Sequence, residues 1–135
     1  MPIQIEIISP EKVLVSREVD MAVLPGMEGD IAAMPEHSPM MLLLRGGVVA
    51  LYEGDKVTDR YFVGGGFADI TPGRCTVLAD KAVPVSDISI DMATAQLEAL
   101  SEAWDKADKT DTSRLVVLQD QIQAVRAEIE AGSAS

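Results

Sequence analysis

Membrane-length apolar runs, cysteine pairs, basic charge and histidine are all scarce in this 135-residue chain. The apolar run Met40 to Leu44 is stopped by Arg45 and two glycines, far short of the roughly 20 residues that a membrane helix needs. No direct membrane insertion is therefore expected. A single cysteine, Cys75, excludes an internal disulfide. Its place in Arg74-Cys75-Thr76-Val77-Leu78 reads as a packed, inert thiol in a strand and fits a reducing compartment. Eleven basic residues against 22 acidic ones give a net charge of −11, which repels phosphate backbones and anionic lipid surfaces. Nucleic acid is thus excluded as a partner. The start, Met-Pro-Ile-Gln-Ile-Glu, alternates apolar with polar residues and lacks the order of a signal peptide, so it reads as part of the fold.

What the chain does have is periodicity. Up to about residue 85 the period is two. Ile3, Ile5 and Ile7 share one face and Gln4 and Glu6 the other, and Val13 with Val15, then Met21 with Val23, read the same way. Gly47 to Tyr52, Arg60 to Val63, Phe67 to Ile70 and Thr76 to Ala79 follow, punctuated by the turns Glu53-Gly54-Asp55 and Thr71-Pro72-Gly73-Arg74. Many short strands without intervening helices bury their half-apolar faces only in a second sheet or by closure.

Near Pro84 the period changes. Ala93, Leu97, Leu100, Trp104 and Ala107 fall on one helical stripe, and Leu115, Leu118, Ile122, Val125 and Ile129 on another. The short polar link Lys109 to Ser113 makes the two helices antiparallel neighbours. Ser89 or Asp91 can cap the first helix, and Gly132 can end the second. The expected fold is α+β: an antiparallel β-sandwich over residues 1–85, then an antiparallel two-helix hairpin over residues 86–135.

"PGMEGDIAAMPEHSP", residues 25 to 39, holds the only histidine. His37 with Glu28, Asp30 and Glu36 are the first suspects for acid, base or metal chemistry, yet each such reading is short of a partner. No second histidine is available, and Cys75 belongs to another strand, so a zinc site would need carboxylates alone to complete it. Ser38 adjoins His37, but neighbours in an extended chain point opposite ways. No catalytic residue and no metal site are assigned. "VGGGFADITPG", residues 63 to 73, lacks the Gly-Lys-Ser/Thr ending of a phosphate loop. Three glycines in a strand mark a bulge or a close backbone approach instead.

Taken in order, "PGMEGDIAAMPEHSP", "FVGGGFADI", "CTVLADKAV" and the hairpin resemble the epsilon subunit family of the F-type rotary ATP synthase. The resemblance implies a non-catalytic rotor subunit in the central stalk that couples rotation of the c-ring to ATP synthesis through gamma. It implies a place on the cytoplasmic face of the bacterial inner membrane, as a peripheral part of the complex. Met27, Glu28, Gly29, Asp30, Pro35, Glu36 and His37 then become the contact with gamma and the c-ring. The hairpin, with Leu97, Leu100, Trp104, Arg114, Leu118, Ile122, Val125 and Arg126, becomes a regulatory element. When extended, it would meet the catalytic alpha and beta subunits.

Two departures limit what the resemblance carries over. Ala32 and Glu36 stand where glycine is usual in the family. Some members bind ATP through an Ile/Leu-Asp-x-x-Arg-Ala motif, matched here by Ile90 and Asp91, but Thr94 replaces the arginine and removes a charge-assisted partner for phosphate. No cofactor is therefore expected, and ATP is expected to bind weakly or not at all. With Arg114 and Arg126 the basic residues available on the second helix, inhibition of hydrolysis is expected to be weak. The alternatives are a small β-sandwich enzyme or ligand-binding domain with a helical lid, and an unrelated helical-hairpin adaptor.

Overall fold

The structure, a computed structural model, describes residues 2–134. Eight strands are formed by the described residues: β1 (Ile3–Ile8), β2 (Val13–Val19), β3 (Met21–Gly26), β4 (Gly29–Ala33), β5 (Met40–Glu53), β6 (Lys56–Thr71), β7 (Arg74–Ala79) and β8 (Ala82–Pro84). Two helices follow, α1 (Ile90–Lys106) and α2 (Thr112–Ala134). The strands join in the order β2-β1-β7-β6-β5-β3-β4, with β8 paired to β6. The long β5–β6 hairpin runs through both layers of the sandwich, so the sheet folds over on itself. Ile3, Ile5, Ile7, Val15 and Val19 from one part of it share a buried core with Ala22, Leu24, Val49 and Leu51 from the other.

Where the structure differs from the alternation, the reason is local. Gly46-Gly47 and Gly64-Gly65-Gly66 do not separate strands; they lie inside β5 and β6, whose register runs on from Leu44↔Gly66 to Gly46↔Gly64. A side chain at Gly66, where φ is +118, would overlap the Leu78 carbonyl, so this glycine serves the close backbone approach expected of it. In β3 Ala22, Leu24, Pro25 and Gly26 are buried, while Met21 and Val23 are half-buried. Both faces of that strand are apolar, so its alternation carries no phase. A bulge between Ile7 and Ile8 shifts β2 and turns Val13 outward. One pairing, β1 with β7, is parallel, whereas the sequence reads as antiparallel throughout.

Ser89 caps α1, its hydroxyl accepting from the Met92 amide at 3.3 Å. At the next helix the Asp111 carboxylate accepts from the Arg114 amide at 3.2 Å. Gly132 does not end α2. It lies within the helix, where a Cβ would come within 2.7 Å of Ile90 Cδ1 and 2.8 Å of Ile88 Cγ2, so it lets the end of α2 close on the start of α1.

The hairpin rests on the sandwich through α2. At the bend of β5, a Cβ on Gly46 would fall 2.5 Å from the Ala124 Cα. The Gln123 amide binds both main-chain groups of Gly46, accepting from its N–H at 3.0 Å and donating to its carbonyl at 2.7 Å. Lys81 donates to both carboxylate oxygens of the buried Glu128 at 3.0 Å. Phe62, Val85, Ala93, Leu118 and Val125 are buried outside the sandwich core, on the elements that meet along this seam.

Candidate functional site: the acidic turn, the proline loop and the open edge of β5

Stretch 25–39 is divided by β4. Met27 and Glu28 form the two-residue turn between β3 and β4, while Pro35, Glu36 and His37 follow the far end of β4. Five strand residues, about 17 Å of extended chain, lie between the groups. The sequence motif is therefore split into two separate surfaces.

Neither Met27 nor Glu28 has a positive φ, whereas Gly29 has φ +137. A turn with ordinary φ values splays a hairpin, and Gly29 absorbs the mismatch. The Met27 amide donates to the Leu43 carbonyl at 2.9 Å, which ties the turn to β5. Asp30 is engaged within the chain: Arg45 donates to its carboxylate at 2.9 Å and to the Gly26 carbonyl at 2.7 Å. Here β3 and β5 change register between Val23 and Gly26, and the guanidinium meets the carbonyl at that irregularity. Glu28 is exposed and has no ion-pair partner among the described residues. Of these two acids, Glu28 is, among the described residues, the one free to meet a basic group elsewhere.

At the other end the loop turns sharply, where an extended segment was expected. The His37 amide donates to the Met34 carbonyl at 3.0 Å, closing a turn over Pro35 and Glu36. Pro35 supplies the φ of its first corner, and Glu36, with a negative φ, needs no glycine at the second. The Gly73 amide donates to the Pro35 carbonyl at 2.7 Å and anchors this loop to the turn between β6 and β7. The His37 ring Nδ1 lies 2.6 Å from the Ser38 carbonyl oxygen. No group of three or more histidine, cysteine or acidic side chains converges for a metal among the described residues.

Alternation did not single out the apolar residues that flank the acidic turn. Met27, Met41 and Leu43 are 55%, 65% and 68% exposed. Together with Glu28, Asp30 and Ile31 they line an open groove between β4 and the first residues of β5. Leu43 pairs with Phe67, which pairs with Leu78, so an apolar row continues across three strands on the outer face. A run of five apolar residues from Met40 to Leu44 on a strand with an exposed face was the available signal.

In the hairpin, Leu118 and Val125 are buried, and Leu97, Leu100, Trp104 and Ile122 are half-buried. Lys109 lies 5.4 Å from the Trp104 ring centre and donates to the carbonyls of Trp104 and Ala107, closing the end of α1. In the turn, the main-chain N–H and hydroxyl of Thr110 hold the exposed Asp108 carboxyl below its ordinary pKa. Arg114 and Arg126 are exposed. Among the described residues, Arg126 is the cation lining a groove between the helices, where it is joined by Asp105 and Glu130. Asp91 is exposed in the first turn of α1, and Thr94 beside it is exposed and neutral. A triphosphate, needing several positive donors, is poorly matched by this set.

A β-sandwich with an acidic turn, an exposed apolar outer row and a docked helical hairpin has the surface features of proteins that bind other subunits. The family model for the ATP synthase delta/epsilon chain β-sandwich domain matches residues 2–85. The ATP synthase epsilon chain of Gluconacetobacter diazotrophicus is 60% identical over 131 residues, covering 97% of this chain and 93% of its own length. Two solved structures share the fold. A chain of the Euglena gracilis mitochondrial ATP synthase OSCP/F1/c-ring assembly superposes with a TM-score of 0.78 at 17% identity, covering 96% of this chain and 81% of its own. A chain of the Tetrahymena thermophila mitochondrial ATP synthase central stalk and c-ring has a TM-score of 0.67 at 10% identity, covering 98% and 97%. The chain belongs to the epsilon chain family of ATP synthase, non-catalytic subunits of that complex.

Proposed function

We propose that the sandwich sits at the foot of the central stalk, between gamma and the polar loops of the c-ring, on the cytoplasmic face of the bacterial inner membrane. The observation that carries this reading is the pairing of the stiff acidic turn at Glu28 with the exposed apolar row Met27, Met41, Leu43, Phe67 and Leu78. An apolar patch rimmed by charge is a feature of subunit contacts, and a stiff turn loses little entropy when it docks. Pro35, Glu36 and His37 provide a second contact surface beyond β4. The hairpin, with Arg114 and Arg126 as the exposed cations of α2, inhibits hydrolysis weakly at most. ATP binds weakly or not at all, since Thr94 and the mixed charges around Arg126 offer phosphate few donors.

Copurification tests this reading. A tagged full-length chain, expressed in its own organism, is expected to bring gamma, the c-ring and ATP-hydrolysing activity out of gently solubilised membranes. Recovery of the tagged chain without them would overturn it.

A further inference from the structure

We infer that the first residues of β5 form an open strand edge that accepts an extended segment of a rotor partner as an added β-strand, through the main chain of Met41 and Leu43. The register fixes which groups are available. The Leu43 carbonyl accepts from the Met27 amide, so Leu43 directs its main-chain groups away from β6. Met41, two residues earlier in the same strand, directs its own the same way. Met40, Leu42 and Leu44 face β6 in the ladder that begins at Met40↔Ile70. On the outward side β3 stops at Gly26, opposite Leu44. The Met41 N–H and carbonyl and the Leu43 N–H are therefore left without a strand partner among the described residues.

An open apolar edge is something natural sheets normally blunt with a charge, a proline or a covering element. Met40-Met41-Leu42-Leu43-Leu44 carries neither charge nor proline, and the groove beside it is bounded by Met27, Glu28 and Ile31. In strand addition the main-chain bonds supply affinity while alternate side chains supply selection. The occupant that fits is an extended segment with apolar residues against Met41 and Leu43 and a lysine or arginine at the end that meets Glu28. This proposal rests on the reading that the sandwich docks on the rotor.

Proline separates a main-chain role from a side-chain one. Met41→Pro removes an outward N–H and leaves the ladder to β6 intact, a change that edge strands tolerate. Met41→Ala removes the side chain and keeps the N–H. Full-length wild type and both variants are titrated with purified gamma and, separately, with purified c-ring. Far-ultraviolet circular dichroism and urea midpoints verify that each variant is folded. With the partner that wild type binds, Met41→Pro is expected to weaken binding about tenfold or more, Met41→Ala severalfold less, and the Met41 amide of wild type to become protected from hydrogen exchange in the complex. Equal affinities for Met41→Pro and wild type, or a Met41 amide that exchanges in the complex as in the free chain, would overturn the strand addition. So would concentration-dependent dimers of the free chain that are lost in Met41→Pro, because the edge would then serve a second copy. Failure of wild type to bind either partner would instead count against the rotor reading itself. If Met41→Pro does not fold, the exchange measurement on wild type decides.

Discussion

At Gly66 the backbone has φ +118, and any side chain would overlap the Leu78 carbonyl. Gly66→Ala is expected to cost about 3 kcal/mol, from backbone strain and steric overlap combined. A urea titration that left the unfolding midpoint unchanged would contradict the assigned close approach. Cys75 gives a second test. Burial first, and then the Asp69 charge, push its thiol from 9.0 up to about 12. Below pH 9 both folded and unfolded thiols keep the proton, and this residue adds no pH dependence. Between pH 9 and 12 only the unfolded thiol ionises, so stability falls as pH rises. At pH 10 the wild type is expected to lose about 1.4 kcal/mol, relative to its value at pH 8, that Cys75→Ala does not lose. Parallel pH profiles for the two proteins would contradict it. Ile3, Ile5 and Ile7 were legible as core because polar Gln4 and Glu6 alternate with them. Arg45 was not, because its partners Asp30 and Gly26 lie 15 and 19 residues away and meet it only through a register shift that no alternation encodes.

Among the elements, both helices and the turn between them could be read from the 3.6-residue period, since each stripe repeats over several turns. The docking of α2 could not. It depends on a glycine inside β5, Gly46, and on Gln123 and Glu128, polar residues that a periodicity reading assigns to solvent. Removing the Gln123 amide leaves both main-chain groups of Gly46 without that partner at a contact too tight for a side chain. Gln123→Ala is expected to speed amide exchange in α1 and α2 about tenfold while leaving β1, β6 and β7 unchanged. Uniform acceleration across the chain, or none, would show that this contact does not hold the hairpin. The acidic stretch around β4 illustrates the same limit at a shorter range. Its glycines and prolines mark a loop in the sequence, but the turn at Pro35 and the strand that parts the stretch into two surfaces become evident only in the structure, once Ala22↔Ala33 and Gly26↔Gly29 are paired.

For the whole molecule, a net charge of −11, an exposed apolar row and a docked hairpin are the features on which the proposed docking role rests. Because α2 is held to the sandwich at Gly46, Lys81 and the buried seam, deletion of residues 86–135 is expected to leave ATP hydrolysis by the assembled enzyme within about twofold of wild type. A severalfold rise would establish strong inhibition by the hairpin. The most direct test of the docking role is add-back to membranes from which this chain has been stripped. The purified protein is expected to restore proton-driven ATP synthesis, while Leu43→Asp combined with Phe67→Asp, folded but with a charged outer row, restores little. Equal recovery with the charged variant, or no recovery with the wild type, would contradict it.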